Sequence, residues 1–331
     1  MDESKKIPHL IVQLDASSLS KSGCFKRLYN TVIKGYRSPR LNNSMEFGSA
    51  FHKFTESLDV THDQFVSIFE AQNYYQDKLP HIQTDAKSDW LNLGYLTQTC
   101  LRYVDTYGAD GKKDFNFELV HEPDSGLSLV EQTFAIPFYR ARTTYVENLE
   151  IMICGTIDRI GKVTPNGAYV VEDFKTSATW DRVKYFIPYK MSTQLTLYYW
   201  ALRKIAEQFP DGIIAEICKS RVLTRIHAVF LGKDKDASFQ RSEARPVDER
   251  TLAEFDFMIT QFCKDIASYF DHYPLDGPPP ARQGLLNGSC QEPYGMCPYF
   301  GACSSLDTIA YDSIMENTFK KEPYEPLRFR E

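Results

Sequence analysis

Two short runs near the middle of the chain place carboxylates inside segments that otherwise read as strands. The first is Cys154-Gly155-Thr156-Ile157-Asp158-Arg159-Ile160, and the second is Val171-Glu172-Asp173-Phe174-Lys175-Thr176. Strand side chains alternate between faces, so Asp173 and Lys175 share one face while Glu172 and Phe174 share the other. Between the runs lies Thr164-Pro165-Asn166-Gly167, and Asn-Gly between two apolar runs is a hairpin signal. If the hairpin closes there, Asp158 and Asp173 stand at comparable distances from the turn, and two carboxylates and an ammonium converge. Like charges that close are unfavourable unless a cation joins them. Mg²⁺ or Mn²⁺ suits a few carboxylates plus water, polarises a phosphoryl oxygen and acidifies bound water. Lys175 would then orient the water or stabilise transition-state charge. The plain structural alternative is a cross-strand ion pair among Asp158, Asp173, Lys175 and Arg159.

Further along, Gln194 and Tyr198 are four apart on an expected helix and share a face, a polar pair on an otherwise aromatic element. Upstream, Gly48 precedes His52 by one helical turn. A small residue there permits close approach, and a neutral imidazole can ligate a metal. Taken alone, His52 also fits a core or surface histidine.

The elements that must carry these groups can be read from periodicity. Residues 17–30 read as a helix capped by Asp15 or Ser17. A second helix over 44–59 carries Phe47, Phe51 and Phe54 on one side, and two more follow over 63–78 and 86–107. Residues 109–128 are loop-like. Strands are expected over 128–140, 149–163 and 168–175, a helix over 190–207, two strands within 213–232 and a long helix over 250–272. Pro274, Pro278, Pro279 and Pro280 open a loop-rich module with three cysteines, and the last ~25 residues read as a tail that packs late or poorly. The order implies an α/β fold with a mixed sheet flanked by helices.

Composition narrows the function. The 331 residues are 14% aromatic, which argues against a disordered chain or a coiled coil. No run is long and apolar enough for a transmembrane helix, and Met1 to His9 shows no signal-peptide core, so an intracellular, non-membrane protein is expected. The net charge of −6 argues against indiscriminate nucleic-acid binding. A local basic stretch remains between Ala16 and Met45: Lys21, Lys26, Arg27, Lys34, Arg37 and Arg40, with no acidic residue among them. No phosphate-binding loop is present. Gly155 to Gly161-Lys162 has one residue too many, and Val163 stands where Ser or Thr is needed.

The ordered set Gly48…His52, Gly155-x-x-Asp158, Asp173-x-Lys175 and Gln194-x-x-x-Tyr198 resembles the PD-(D/E)XK nucleases of the RecB type, which include CRISPR-associated Fe–S exonucleases and stand-alone phage and eukaryotic exonucleases. The match spans roughly residues 15–305. The resemblance implies a restriction-endonuclease-like mixed sheet flanked by helices. It also implies a metal held by His52, Asp158, Asp173 and the backbone carbonyl of Phe174, with Lys175 as the catalytic lysine. Gln194 and Tyr198 would position DNA and the attacking water. Ile157 precedes Asp158 where the family name has Pro, and Glu131 is left without a firm role.

The eight cysteines divide into two sets. Cys100, Cys154, Cys218 and Cys263 sit singly in regular patterns and read as core. Cys290, Cys297 and Cys303 cluster in a Pro/Gly-rich loop, and three thiolates there suit a soft metal that needs a fourth ligand. The Fe–S branch of the resembled family uses one N-terminal and three C-terminal cysteines for a 4Fe–4S cluster. The resemblance therefore implies Cys24 as the fourth ligand, with zinc as the alternative metal. The wide gap from Cys290 to Cys297 makes Cys290 the outlying ligand.

The implied organisation is an N-terminal helical region over 1–120 carrying Cys24 and His52, a nuclease core over 121–273, and a cysteine-rich Fe–S module with tail over 274–331. The implied function is a metal-dependent DNA exonuclease acting on single strands or DNA ends, in repair, recombination or phage DNA metabolism. Lys21, Lys26 and Arg27 would track the DNA backbone, with Tyr29 and Tyr36 available to stack bases. The competing reading is a catalytically weak DNA-binding subunit of a helicase–nuclease or CRISPR adaptation complex, with a separate helicase or recombination partner. A weaker one is a zinc-stabilised RNA-processing nuclease. The cytoplasm, or a host cytoplasm for a phage protein, is the expected location.

Overall fold

The helix Asn43–Thr61 begins where Asn42 accepts a hydrogen bond from the Met45 amide. It ends at His62, whose left-handed φ of 54° returns its N–H to the Leu58 carbonyl. Its Phe47, Phe51, Phe54 and Leu58 are all buried, so the spacing of four and three read from the sequence is a core stripe. Asp63 caps the next helix, Gln64–Lys78, through the Phe65 and Val66 amides, and Asn92 caps Leu93–Tyr107. The computed structural model describes residues 6–20, 23–39, 41–83, 88–123, 125–164, 167–179, 181–233, 235–281, 283–292, 295–305 and 307–327.

The chain divides into two compact units. One comprises Arg40–Gln132 and Thr156–Asp248. Its sheet is mixed. Ala168–Ser177 runs antiparallel to the end of Val146–Val163, with Arg159 opposite Glu172, and parallel to Val222–Gly232. Lys235–Arg241 adds an antiparallel edge, and Glu118–Leu119 pairs with Gly161 and Lys162. Helices carrying Phe47, Phe51, Phe54 and Tyr103 build a core over Phe174 and Val229. This is the expected α/β fold of a mixed sheet with helices packed on it.

The other unit comprises Met1–Pro39, Thr133–Gly155 and Glu249–Glu331. Ile7–Leu14 pairs parallel with the first half of Val146–Val163, and Glu249–His272 buries Leu252, Phe255, Ile259, Cys263, Ile266 and Phe270 along one side. Both units are discontinuous in sequence, so they do not follow the expected boundaries at 120 and 273. The physical reason is the 18-residue strand Val146–Val163, whose two halves pair with different partners.

Four local expectations are corrected. The single helix over 17–30 is broken into Ala16–Ser20, Phe25–Leu28 and a π-helical turn Tyr29–Ile33. The helix over 86–107 begins only at Leu93; Ser88 to Trp90 form a turn, and 84–87 lie outside the described residues. Within 213–232, Ile213–Lys219 is helical despite its isoleucines, because Ala215 and Ile217 pack inward where it meets the helix Thr193–Gln208. Over its described residues, 307–327, the tail is not loose. Asp307 caps Thr308–Thr318, Tyr311 and Met315 are buried, Lys320–Lys321 pairs with Tyr36–Arg37, and the Tyr324 hydroxyl donates to Asp15 at 2.6 Å. At the hairpin, Gly167 adopts a φ of 68° and its N–H reaches the Val163 carbonyl, while Pro165 and Asn166 lie outside the described residues.

Glu172, on the face of the strand away from Asp173, organises a buried charge network. It accepts from Arg159 Nε at 2.8 Å, pairs with Arg225, and lies 2.9 Å from Arg241 Nε and 3.2 Å from His227 Nδ1. Asp114 takes the far side of Arg241, and Asp59 stands 3.5 Å from Arg159. Burial pushes His227 down to about 4, against an unfolded value near 6.5. A depressed pKa contributes stability above the unfolded value and loses it as pH falls through the folded one. His227 should therefore cost the protein roughly 3 kcal/mol between pH 7 and 4. Thermal unfolding of wild type and His227→Gln at stepped pH checks this; the acid loss attributable to His227 should vanish in the variant.

Candidate metal and nuclease site

All the residues of this site belong to the unit formed by 40–132 and 156–248. Asp173 is fully buried, and three side chains converge on it. Gln194 Nε2 donates to Oδ1 at 2.8 Å, the Tyr198 hydroxyl donates to the same oxygen at 3.3 Å, and the Lys175 ammonium pairs with Oδ2. Gln194 also donates to the Tyr198 hydroxyl at 2.6 Å. The helix Thr193–Gln208, capped by Ser192, places both on one face, so the i, i+4 spacing works as the sequence implied.

Asp158, 4% exposed, lies on the neighbouring strand and accepts from the Phe174 amide at 2.7 Å. His52 approaches from its helix, with Nδ1 3.4 Å from Asp158 Oδ2 and Nε2 3.0 Å from the Phe174 carbonyl oxygen. That carbonyl also accepts from Lys175 Nζ at 3.2 Å. The approach depends on Gly48, where a Cβ would stand 2.8 Å from Thr176 Oγ1 on the carboxylate strand. Gly48→Ala should therefore cost about 1–3 kcal/mol of stability and displace His52. Metal titration should show weaker binding in that variant, with the remainder of the fold intact by circular dichroism.

Charge in the site is balanced toward the anionic side. Burial pushes the Asp173 carboxyl above its ordinary range; the Lys175 ammonium pulls it back and the Asp158 carboxylate pushes it up again. Burial works against the Lys175 ammonium, yet Asp173 and Asp158 outweigh it and hold its pKa above the usual lysine value.

The donors fit a hard divalent cation. Ligand atoms of His52, Glu131 and Asp158 all lie within 4.8 Å of one another. Each ring nitrogen of His52 faces an oxygen that only accepts, whereas a neutral imidazole carries one N–H. One contact therefore sets two lone pairs against each other, which a cation or a second proton resolves. Glu131 adds a second observation. It holds a left-handed φ of 47°, a conformation that costs a non-glycine residue of order 1–3 kcal/mol and is typical of sites where position matters.

The structure places His52 and Asp158 together with Glu131, and sets Asp173 differently from the other expected ligands. Glu131 joins the group of potential ligands, whereas Asp173 stands beside it with Oδ1 held by Gln194 and Tyr198 and Oδ2 by Lys175. The only signal for Glu131 in the sequence was a carboxylate at the head of an apolar strand. The ion-pair alternative fails for Arg159, which turns to Glu172 and away from the site. Lys175 is paired as that alternative has it.

The expected DNA-tracking residues lie in the other unit. Lys21 is outside the described residues. Lys26 is buried with its ammonium 4.0 Å from the centre of the Tyr311 ring, and Tyr29 is buried with its hydroxyl on the Leu275 carbonyl at 2.9 Å. The helical turns Phe25–Leu28 and Tyr29–Ile33 direct both inward, so neither offers a face to a nucleic acid. Arg27 and Tyr36 are half-buried.

That unit also gathers the cysteines. The Phe25 amide donates to Gln283 at 2.9 Å, and Asn287 donates to the Gly23 carbonyl, so the two ends of the chain meet around Cys24. Burial pushes the Cys297 thiol up, the Arg27 guanidinium opposes this, and nearby Cys24 and Cys290 push it further. Cys303 packs in the same apolar cluster as Cys297, with Tyr299, Tyr311 and Met315. Among the described residues no helix is long and apolar enough to cross a membrane.

Comparison with known proteins agrees with this geometry. No curated protein matches the chain. Among solved structures, the crystal structure of SSO0001 is similar over 67% of this chain and 77% of its own, with 16% identity and a TM-score of 0.22, a likeness too slight to build on. A family model described as the PD-(D/E)XK nuclease superfamily matches residues 23–304, which include every element of the site. Members of that group are metal-dependent nucleases, and a match of this extent, over a site with these carboxylates and this lysine, means that the chain belongs to the PD-(D/E)XK nuclease superfamily.

Proposed function

We propose that this chain is a metal-dependent DNA exonuclease that hydrolyses phosphodiester bonds on single strands or DNA ends. The observation that carries the reading is the Asp173 carboxylate gripped by Lys175, Gln194 and Tyr198 beside His52, Glu131 and Asp158. Mg²⁺ or Mn²⁺ bound there would polarise the phosphoryl oxygen and acidify a bound water. His52, Asp158 and Glu131 would hold it, with Asp173 and the Phe174 carbonyl completing the set. Lys175, kept charged by two carboxylates, would orient the attacking water and stabilise the charge that develops on phosphorus. Gln194 and Tyr198 fix the rotamer of Asp173 and so the position of that lysine.

Cys24, Cys290, Cys297 and Cys303 would hold a 4Fe–4S cluster that staples the chain ends. Their gathering around Gly23–Phe25 and Gln283–Asn287 supports this, and zinc is the alternative. Repair, recombination or phage DNA metabolism inside the cell is the setting that fits such an activity. The test is an anaerobic preparation assayed for iron, zinc and cleavage of labelled single-stranded DNA, duplex DNA and RNA with Mg²⁺ or Mn²⁺. Iron near four per chain, with DNA degraded from its ends, is the expected result. Cys297→Ser should lose the iron and the visible absorbance. No cleavage of any DNA by the metal-loaded protein overturns the nuclease reading.

A further inference from the structure

The segment 181–191 joins the strand bearing Lys175 to the helix bearing Gln194, and both of those residues contact Asp173. The elements on either side of it therefore each bring a side chain to the same carboxylate. The segment's inner side is seated firmly. Tyr185 and Phe186 pack on Phe230 at ring distances of 5.2 and 6.0 Å, and Arg182 lies 5.1 Å over the same ring and donates to Ser238. The Tyr189 hydroxyl donates to the Tyr185 hydroxyl at 3.2 Å.

The outer side is apolar. Val183 is 79% exposed, Ile187 52% and Met191 92%, three large aliphatic side chains within nine residues. Lys184 and Lys190 stand exposed between them, and the segment holds three basic residues against one acidic. A ridge of this composition gains little from a duplex, whose outer surface is sugar and phosphate. It gains from unpaired bases, whose flat faces pack on apolar side chains while neighbouring phosphates meet the lysines.

We propose that the segment 181–191 is a base-contacting ridge that makes the site selective for single-stranded DNA. Val183, Ile187 and Met191 lie against unstacked bases next to the scissile phosphate, and Lys184 and Lys190 lie along the flanking backbone. This rests on the nuclease reading above and adds the substrate form.

The test compares wild type with the combined variant Val183→Ser, Ile187→Ser, Met191→Ser. These side chains are exposed, so folding should be retained, and circular dichroism and thermal unfolding check it. Binding is read by fluorescence anisotropy of a labelled oligothymidine and of a blunt hairpin duplex without divalent metal. Cleavage of both substrates is read with Mn²⁺. Wild type should favour the single strand, and the variant should lose about tenfold to hundredfold of single-strand affinity with duplex affinity unchanged. Its KM for the single strand should rise by a similar factor with kcat little altered. A folded variant that binds and cleaves single strands like wild type overturns the ridge, as does a wild type with no preference for the single strand; DNA cleavage in either case leaves the nuclease reading standing. A wild type that cleaves no DNA removes the nuclease reading itself.

Discussion

Replacing Lys175 with Met should lower DNA cleavage by about 10³-fold while leaving Mn²⁺ binding in place. The ammonium pairs with Asp173 Oδ2, and its charge is held by Asp173 and Asp158 together. The variant removes that ammonium but leaves the candidate donors His52, Glu131 and Asp158 untouched. Asp158→Asn provides the contrast. It should lose metal affinity and cleavage together. It should also unfold at a higher temperature than wild type in chelator, because the charge that pushes Asp173 upward is gone. Isothermal titration with Mn²⁺ beside single-turnover cleavage separates the two. Metal binding lost in Lys175→Met, or cleavage retained in Asp158→Asn, contradicts the assignment.

The second large effect concerns folding. Glu172→Ala should destabilise the protein by about 3–5 kcal/mol, because it leaves Arg159, Arg225 and Arg241 around a cavity with no carboxylate between them. Urea unfolding would show the loss, and an insoluble product would report the same effect in stronger form. Glu172→Gln keeps the volume and some hydrogen bonds and should fall between the two. The contrast with Asp173, its immediate neighbour, is informative. One strand presents a carboxylate set among arginines to one face and one held by Lys175, Gln194 and Tyr198 to the other, and sequence adjacency says nothing about which is which.

The alternation along Val171–Thr176 and the turn signal at Gly167 were enough to bring Asp158 and Asp173 onto neighbouring strands. The aromatic spacing along 47–54 was enough to set the buried face of the helix that carries His52. These features are local. A period of two or of 3.6 residues decides which side chains share a face, and that is fixed within a few residues of chain. The resemblance carried the functional reading further, from the same few motifs.

What distant segments do to each other was decided only in three dimensions. Arg159 pairs with Glu172 rather than with the site because its side chain leaves the opposite face of the sheet, where Arg225, Arg241 and His227 also gather. Glu131 comes beside His52 and Asp158 in a left-handed conformation that no periodicity announces. Lys26 and Tyr29 look like an exposed basic and aromatic face in the sequence, yet the distant helix Thr308–Thr318 supplies Tyr311 to cover the lysine. Local sequence sets faces and turns, because those depend on backbone geometry over one or two residues. Register, long-range packing and the burial of charge depend on which surfaces exclude water together, and only the tertiary fold selects those partners.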